Sequence, residues 1–447
     1  MLRRIAVWAK RRLQRHQHRT GVRQGLALCE RAYELCRGIG ADERVPAAAG
    51  GRPTRLVPMP IPRPFGRAER RQLRRLIRTQ STSFSDGDVV QRFERRLASH
   101  WGCEHAIAVS SGTGALHAAL IAAGIGPEDE VIVPVLTYVS TALAVLYQGA
   151  TPRFVDAHPD TWNLDVSLVA AAITPRTKAI LAVHLCGVPA DMRGIKKLAE
   201  AHDLLVIEDA AQAHGALYAG ERVGTCGHLG CLSFQSVKTM TTGEGGAVLT
   251  DDDELARRVR LAMNLGESTE AGHPTACLTG LPDDARLQYE FLGWNYRMSA
   301  LQAALGLGQL ERLDALCAER NRNAAHLWEQ LEGIEGIQRQ HVLPSTTPCY
   351  STFFTLLEEG VDVPSRDEVA RALALERIDY RLPYQVPLAS HAIFGQPGAY
   401  PVAARICANA LGFRVDPSLG KWELNSVGFA VRRICAWRHG ARLTIAD

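Results

Sequence analysis

The sequence contains no long apolar run, and no stretch approaches the roughly 18–20 residues that a membrane-spanning helix needs. It also contains no C-x-x-C pair, and its 11 cysteines are scattered along the chain. This odd and unpatterned set disfavours a disulfide framework and a zinc site, and predicts reduced thiols in a cytoplasmic protein without a bound metal. A secretory signal is not expected in residues 1–20, because the apolar stretch 5–9 is short and no small-residue cleavage site follows it.

Acidic residues are scarce at the start of the chain. The first 80 residues contain 20 Lys and Arg against 5 Asp and Glu, whereas the remainder contains 31 against 42. Residues 1–20 contain seven basic residues and no acid, with Ile5, Trp8 and Leu13 between them. Such a segment can contact anionic lipid weakly or attract an acidic partner, and the alternative is a solvated helical face. No nucleic-acid partner is expected.

Short apolar strands alternate with helical stretches after about residue 100, which predicts an α/β fold with a mostly parallel, seven-stranded sheet covered by helices on both faces. A chain of 447 residues should form about two domains. The predicted divisions are a basic N-terminal extension (1–55), a large domain (56–315) and a smaller C-terminal α+β domain (316–447). The predicted strands are Ala106–Val109, Val131–Val133, Pro152–Val155, Ala179–Val183, Leu204–Ile207, Cys231–Phe234 and Ala247–Leu249.

A carboxylate and an amine stand at the ends of two of these strands. Asp209 ends an apolar strand, and Lys238 follows another short strand 29 residues later. Because ligands of such sheets bind at the carboxyl ends of the strands, both side chains are expected at one site. A pyridoxal phosphate enzyme needs this pair: the amine holds the aldehyde as a Schiff base, and the carboxylate keeps the pyridine nitrogen protonated. Taken alone, Asp209 could equally be a helix cap and Lys238 a surface residue.

A glycine turn before a helix adds a candidate phosphate site. Gly112 and Thr113 follow a strand and open a helix, whose free N–H groups and dipole suit an anion. A dinucleotide fingerprint is disfavoured because His117 stands where its third glycine would be. Ser233 lies close enough to Lys238 in sequence to reach the same phosphate. Tyr138 follows a strand and could stack on a flat ring, or belong to the core.

Several ordered segments together resemble the DegT/DnrJ/EryC1/StrS family of pyridoxal phosphate-dependent sugar aminotransferases, which have fold type I. The resemblance is strong over about residues 56–330 and weak beyond them. It is carried by SSGTGALHAAL, GIGPEDEVIVPVLTYVSTALAVLYQGATPRFVD, IEDAAQAHGA, the S-F-x-x-x-K of Ser233–Lys238, TTGEGGAV and GWNYRMSALQAALG.

The resemblance implies a role for each matching residue. Lys238 would bind the cofactor covalently and move a proton during transfer, and Asp209 would pair with the pyridine nitrogen. Gln212 would lie close to the ring and Tyr138 would stack on it. Gly112, Thr113 and Ser233 would hold the phosphate. Asn295 and Arg297 would reach the phosphate of a neighbouring subunit's cofactor, in a homodimer with shared active sites.

The activity implied is transfer of an amino group from glutamate or glutamine to a keto-sugar, nucleotide-linked in many members, or to a keto-cyclitol, in secondary-metabolite or surface-polysaccharide biosynthesis. Dehydration of a sugar is an alternative, which Lys238 disfavours because a histidine replaces the lysine in that branch. An enzyme like 3-amino-5-hydroxybenzoate synthase and a non-catalytic regulatory protein are further alternatives, and the second should lack Lys238 or Asp209. Residues 1–55 and 416–447 depart from the family pattern, so the acceptor stays open.

Overall fold

The computed structural model of the chain describes residues 45–79, 82, 84, 87–269, 286–358, 364–395 and 398–437. The basic segment 1–20 and the rest of the predicted N-terminal extension up to residue 44 therefore lie outside the described residues. Within the described part of the chain, no helix is both long enough and apolar enough to cross a bilayer.

Helices and strands alternate along most of the described chain. The α-helices are α1 (Arg67–Thr79), α2 (Val89–Trp101), α3 (Gly112–Ala122), α4 (Val139–Tyr147), α5 (Val166–Ala172), α6 (Met192–Ala201), α7 (Asp253–Met263), α8 (Ala300–Leu310), α9 (Leu313–Leu331), α10 (Arg366–Leu375), α11 (Pro401–Asn409) and α12 (Lys421–Ala436). The strands are β1 (His105–Val109), β2 (Glu130–Pro134), β3 (Thr151–Val155), β4 (Thr177–Val183), β5 (Leu205–Asp209), β6 (Leu217–Tyr218), β7 (Glu221–Arg222), β8 (Leu229–Ser233), β9 (Gly246–Thr250), β10 (Glu267–Thr269), β11 (Leu287–Tyr289), β12 (Ile337–Arg339), β13 (Thr346–Thr347), β14 (Phe353–Leu357) and β15 (Ala410–Phe413).

The main sheet has seven strands in the order β1-β9-β8-β5-β4-β2-β3. Its strands pair in parallel from β8 to β3, whereas β9 runs antiparallel to both β1 and β8. The α/β class and the mostly parallel sheet predicted from the sequence are confirmed. Each of the seven predicted strands overlaps one strand of this sheet, so the apolar runs identified its members.

Both faces of the sheet are buried, because successive side chains of a strand point to opposite faces. In β4, Leu181 packs into one core cluster with the helices of one side, while Ile180 and Ala182 pack into another on the opposite side. Burial on two faces explains why the strands read as continuous apolar runs rather than alternating ones.

Helices α8 and α9 follow each other closely, since α8 ends at Leu310 and α9 begins at Leu313. Two glycines let α8 lie very close to its neighbours. A Cβ at Gly306 would lie 2.6 Å from the Phe93 ring of α2, and one at Gly308 would lie 2.7 Å from the backbone nitrogen of Glu69 in α1. Helix α9 then leads into the small domain.

The small domain combines the antiparallel sheet β12-β14-β15 with α9, α10 and α12 around a core of its own. The proline-rich segment after Pro46, here called the arm, packs against this domain. The Glu376 carboxylate accepts hydrogen bonds from the Ala47 and Thr54 N–H groups at 2.8 and 2.6 Å and pairs with Arg433. The predicted domain boundaries stay a prediction.

Candidate active site

The loops after β1, β2, β5 and β8 converge at the carboxyl end of the main sheet. Strands β5 and β8 are parallel neighbours, with Asp209 in register with Cys231. Asp209 is the last residue of β5, and Lys238 lies five residues beyond the end of β8. The structure thereby brings together the two side chains that the sequence pointed to, and their charges interact.

Lys238 lies on an irregular loop whose first turn is closed by its own N–H, which donates to the Gln235 carbonyl at 2.9 Å. Burial lowers the pKa of the Lys238 amine below its ordinary value, while the Asp209 carboxylate and the Cys186 thiol act in the opposite direction. A lowered pKa increases the fraction of neutral amine, which is the nucleophilic form. The amine is therefore suited to attack an aldehyde.

Asp209 is 6% exposed and has few hydrogen-bond donors around it. The Thr141 hydroxyl donates to its Oδ2 at 2.8 Å, and the Ala211 N–H donates to its Oδ1 at 3.2 Å. Each carboxylate oxygen can accept two hydrogen bonds. The carboxylate thus retains capacity for a further donor.

Gln212 links the site to the small domain. Its Oε1 accepts the Cys186 N–H at 3.0 Å, and its Nε2 donates to the Tyr384 hydroxyl at 3.3 Å. Cys186 has a left-handed backbone, with φ of 59°. Burial raises the pKa of Tyr384, and interactions with Cys186, Asp209 and Tyr138 contribute to the same shift. Tyr384 therefore belongs to the cluster around Asp209.

Gly112 and Ser233 form a cradle that fits a phosphate. A Cβ at position 112 would lie 2.5 Å from Ser233 Cβ and 2.9 Å from its hydroxyl, so only glycine allows this approach. Gly112 begins α3, and the first N–H groups of a helix have no partner within it. The Thr113 hydroxyl donates to the Ser140 hydroxyl at 2.9 Å, which places the α3 and α4 N-termini side by side. The cradle, the amine and the carboxylate together fit pyridoxal phosphate.

Tyr138 precedes α4 and its side chain is 59% exposed. The alternative that it belongs to the core is therefore wrong, because its ring is not packed into the apolar interior. Thr141, three residues later, donates to Asp209, so the start of α4 carries one exposed side chain and one that contacts the carboxylate.

Asn295 and Arg297 lie on an extended segment beside β1 and α7. Arg297 pairs with Val109 through a β-bridge and donates from Nη1 to Asn264 Oδ1 at 2.7 Å. Among the described residues of the chain, neither side chain hydrogen-bonds to Lys238, Asp209 or Gln212. Their backbone nevertheless runs beside the start of α3, since the carbonyl of Tyr296, which stands between them, accepts the Ser110 N–H at 2.7 Å.

Sequence reasoning missed Thr141, Cys186 and Tyr384. Thr141 lies in the first turn of α4, and its sequence position carries no signal that its hydroxyl turns toward Asp209. Tyr384 lies 172 residues from Gln212 in the chain, and no local signal connects them. Cys186 contacts Gln212 through its backbone N–H, and a backbone contact leaves no signal in the sequence.

Comparisons with known proteins agree with this site. A model of the DegT/DnrJ/EryC1/StrS aminotransferase family matches residues 66–432. The chain is 42% identical over 298 residues to GDP-perosamine synthase of Caulobacter vibrioides, covering 66% of this chain and 76% of the relative. It is 36% identical over 409 residues to L-glutamine:2-deoxy-scyllo-inosose aminotransferase of Streptomyces lividus, covering 90% of this chain and 94% of the relative.

A solved structure shows the same architecture. The crystal structure of 3-amino-5-hydroxybenzoic acid synthase superimposes with a TM-score of 0.76 at 30% identity, covering 85% of this chain and 98% of that one. The family match extends well beyond the segments that carried the resemblance in sequence. The resemblance is confirmed, and the chain belongs to the DegT/DnrJ/EryC1/StrS family as a pyridoxal phosphate-dependent aminotransferase.

Proposed function

We propose that the enzyme transfers an amino group from glutamate or glutamine to a keto-sugar or keto-cyclitol at the carboxyl end of the main sheet. The observation that carries this proposal is the convergence of the Lys238 amine and the Asp209 carboxylate beside the Gly112–Ser233 cradle. An amine with a lowered pKa, a buried carboxylate and an anion site at one sheet edge are the groups that this cofactor requires.

Lys238 is the residue that binds the cofactor covalently and moves the proton. When bound, pyridoxal phosphate supplies an aldehyde that carries the amino group and a ring that accepts electrons from the substrate. The Lys238 amine takes a proton from the reacting carbon of the donor and returns it to the carbon that receives the amino group. Burial lowers the pKa of this amine, which favours the neutral form that can accept a proton.

Asp209 holds the proton on the ring nitrogen, and Thr141 orients the carboxylate for this contact through the bond at 2.8 Å. The exposed ring of Tyr138 is available to stack on the cofactor. Gln212, fixed by Cys186 and Tyr384, lies beside the ring. The Gly112 and Thr113 N–H groups and the Ser233 hydroxyl hold the phosphate.

A homodimer completes the site. Leu292 and Tyr289 are 77% and 64% exposed, and they flank the segment that carries Asn295 and Arg297. Val237, next to Lys238, is 65% exposed. Apolar side chains of this size in contact with water around a site indicate a surface that a partner covers. Asn295 and Arg297 of one subunit would then contact the phosphate bound by the other.

The acceptor belongs to one of two classes. One relative is named for a GDP-linked sugar and the other for a free cyclitol. The match to the cyclitol aminotransferase covers 90% of this chain, against 66% for the sugar nucleotide enzyme, so it extends over a larger share of the chain. This difference supports a keto-cyclitol acceptor with glutamine as donor as the first candidate to test.

The test of the proposed function follows both halves of the reaction. Mixing the holoenzyme with glutamine or glutamate should remove the cofactor absorbance, and an acceptor should restore it. The acceptors to compare are scyllo-inosose, its 2-deoxy form and a nucleotide-linked keto-hexose. A protein whose absorbance does not respond to either donor would contradict the proposal.

Lys238 is tested by borohydride reduction of the holoenzyme and peptide mapping. The cofactor should be attached to the peptide containing Lys238. Lys238→Ala should bind the cofactor without attachment and should not transaminate, because the phosphate cradle remains. Lys178→Ala changes an exposed lysine and serves as the control, with labelling as in the wild type. Labelling at another lysine would refute the assignment.

Shared sites are tested by mixing two inactive variants. Lys238→Ala and Arg297→Ala chains, exchanged at equal concentration, should form mixed dimers in about half of the cases, each with one intact site. Activity should therefore recover to roughly a quarter of the wild-type value. No recovery, with mixed dimers present by native mass spectrometry, would mean that each subunit is self-sufficient.

Two further predictions concern the location of the protein. The cysteine pattern predicts a cytoplasmic protein, and the basic segment 1–20 predicts weak contact with anionic membrane surface. Removal of residues 1–44 should leave cofactor binding unchanged and reduce sedimentation with phosphatidylserine vesicles. The reduction should disappear above about 0.5 M salt, where charges are screened. Full-length protein that ignores the vesicles at low salt would remove the membrane prediction.

A further inference from the structure

The loops that carry Asp209 and Lys238 are joined by a buried histidine that the mechanism does not use. His214 lies in the loop after β5 and is 1% exposed. Its Nδ1 accepts the backbone N–H of Met240 at 3.3 Å. Met240 is two residues beyond Lys238, so this bond crosses between the two loops of the site.

The next residue of the same loop is held in the same way. The Thr241 N–H donates to the Gln309 side-chain Oε1 of α8 at 3.2 Å. Gln309 is fixed in turn, since its Nε2 donates to Glu69 Oε1 at 2.6 Å and to the Pro64 carbonyl at 2.8 Å. Two successive N–H groups after Lys238 thus end on side chains rather than on a strand or helix. The position of the loop depends on those side chains.

His214 is itself firmly placed. Its carbonyl accepts the Cys317 thiol at 3.0 Å, and its ring lies 5.7 Å from the Phe234 ring and 6.4 Å from the Trp101 ring. With Nδ1 as acceptor, Nε2 must carry the proton; it makes no well-formed hydrogen bond among the described residues and has only a weak interaction with the Ser233 backbone. An apolar side chain would avoid that buried donor. The contribution specific to histidine here is the acceptor at Nδ1.

Burial lowers the pKa of His214 to about 3, and the charges of Lys238 and Arg320 act in the same direction. The ring is therefore neutral at neutral pH, and Nδ1 stays an acceptor.

We propose that His214 is a positioning residue, which ties the loop bearing Lys238 to the loop bearing Asp209 and Gln212 and so sets the separation of the amine from the carboxylate. The inference rests on the proposed function of Lys238 and Asp209.

The experiment compares His214→Leu, which removes the acceptor, with His214→Asn, whose Oδ1 can take the place of Nδ1. Cofactor-free protein is reductively methylated at a series of pH values, and mass spectrometry gives the pKa of Lys238. In His214→Leu this pKa should move up toward the ordinary value of 10.5, because the loop is released toward water. The cofactor Kd should rise about tenfold, as expected for the loss of one buried hydrogen bond. His214→Asn should restore the wild-type pKa of Lys238 and should bring the cofactor Kd to within about threefold of the wild-type value.

His228→Leu is the matched control. The Nδ1 of His228 accepts the Val206 N–H at 2.9 Å, which joins the same two strands at their opposite ends. Its loss should leave the Lys238 pKa and the cofactor Kd unchanged. If His214→Leu does not fold, His214→Phe keeps an aromatic ring without the acceptor and should show the same two shifts.

A folded acceptor-free variant with wild-type Lys238 pKa and Kd would overturn the inference, and so would an equal effect of His228→Leu. The proposed function fails separately, when the wild-type enzyme does not attach the cofactor at Lys238. The two failures are therefore distinguishable in one set of samples.

Discussion

Two carboxylates end β5, one after the other, and they lie on opposite faces of the sheet. Glu208 is fully buried and accepts three hydrogen bonds, from His184 Nε2 at 2.9 Å and from the Gly224 and Gly227 N–H groups at 2.8 and 2.6 Å. Its two oxygens are satisfied by donors of the protein itself. Glu208 therefore fixes the loop that leads into β8 through the Gly224 and Gly227 N–H groups.

Asp209, one residue later, accepts only the Thr141 hydroxyl and one N–H, and the second charge in its neighbourhood is the Lys238 amine. Leaving a buried carboxylate with few donors costs stability unless a ligand supplies the missing one. Both carboxylates are buried, so burial does not distinguish them. The site carboxylate differs from the structural one in the hydrogen-bonding capacity that its oxygens retain.

The largest effect that tests this comparison is expected from Asp209→Asn. The amide cannot hold the proton on the ring nitrogen as a carboxylate does, so kcat should fall by about 10³-fold, or roughly 4 kcal/mol of transition-state stabilisation. The free energy of unfolding of the cofactor-free protein should change little. Steady-state kinetics and urea unfolding measure the two quantities. A loss of activity below about tenfold would mean that Asp209 is only a cap of its loop.

Glu208→Gln should give the reverse pattern. The amide keeps the shape of the carboxylate, but its NH2 group would face N–H groups that now donate to Glu208. The free energy of unfolding should therefore fall by about 2–3 kcal/mol. The folded fraction should retain kcat within about threefold. The midpoint of urea unfolding gives the first value, and kinetics at a temperature well below the transition give the second. A large fall in kcat without loss of stability would place Glu208 in the chemistry and break the comparison.

The smallest effect concerns pH and the loop that follows Asp209. His214 has a folded pKa of about 3 against an ordinary 6.5, so the unfolded chain binds a proton that the folded chain does not. The contribution of the neutral His214 ring to the free energy of unfolding is therefore fully present above pH 6.5 and is lost as the pH falls toward 3. Between pH 7 and pH 5 the wild type should lose roughly 2 kcal/mol more than His214→Asn, at about 1.4 kcal/mol per pH unit.

Parallel urea titrations of the two proteins at both pH values measure the difference. Equal losses would mean that His214 binds its proton at its ordinary pKa, and hence that it is not held in an apolar environment. The comparison between variants cancels the carboxylates that also begin to titrate in this range.

The seven strands of the main sheet and the residues at their ends could be predicted because the signals are local. Apolar runs such as Ala179–Val183 must be buried on both faces, and polar residues directly after them must emerge at one edge. Asp209 and Lys238 were identified in this way. The break between α8 and α9 carries no such local signal, because neither a proline nor a glycine stands between Leu310 and Leu313.

The sequence by itself determined the sheet, the chemistry at its edge and the family, because periodicity, residue type and ordered segments are properties of the chain alone. The tertiary structure decided which side chains complete the site. Tyr384 reaches Gln212 from the small domain, Glu376 holds the arm at Thr54, and His214 joins two loops through Met240. Such contacts link residues that are distant in the chain, and their partners are chosen by the packing of whole elements, which no local pattern records.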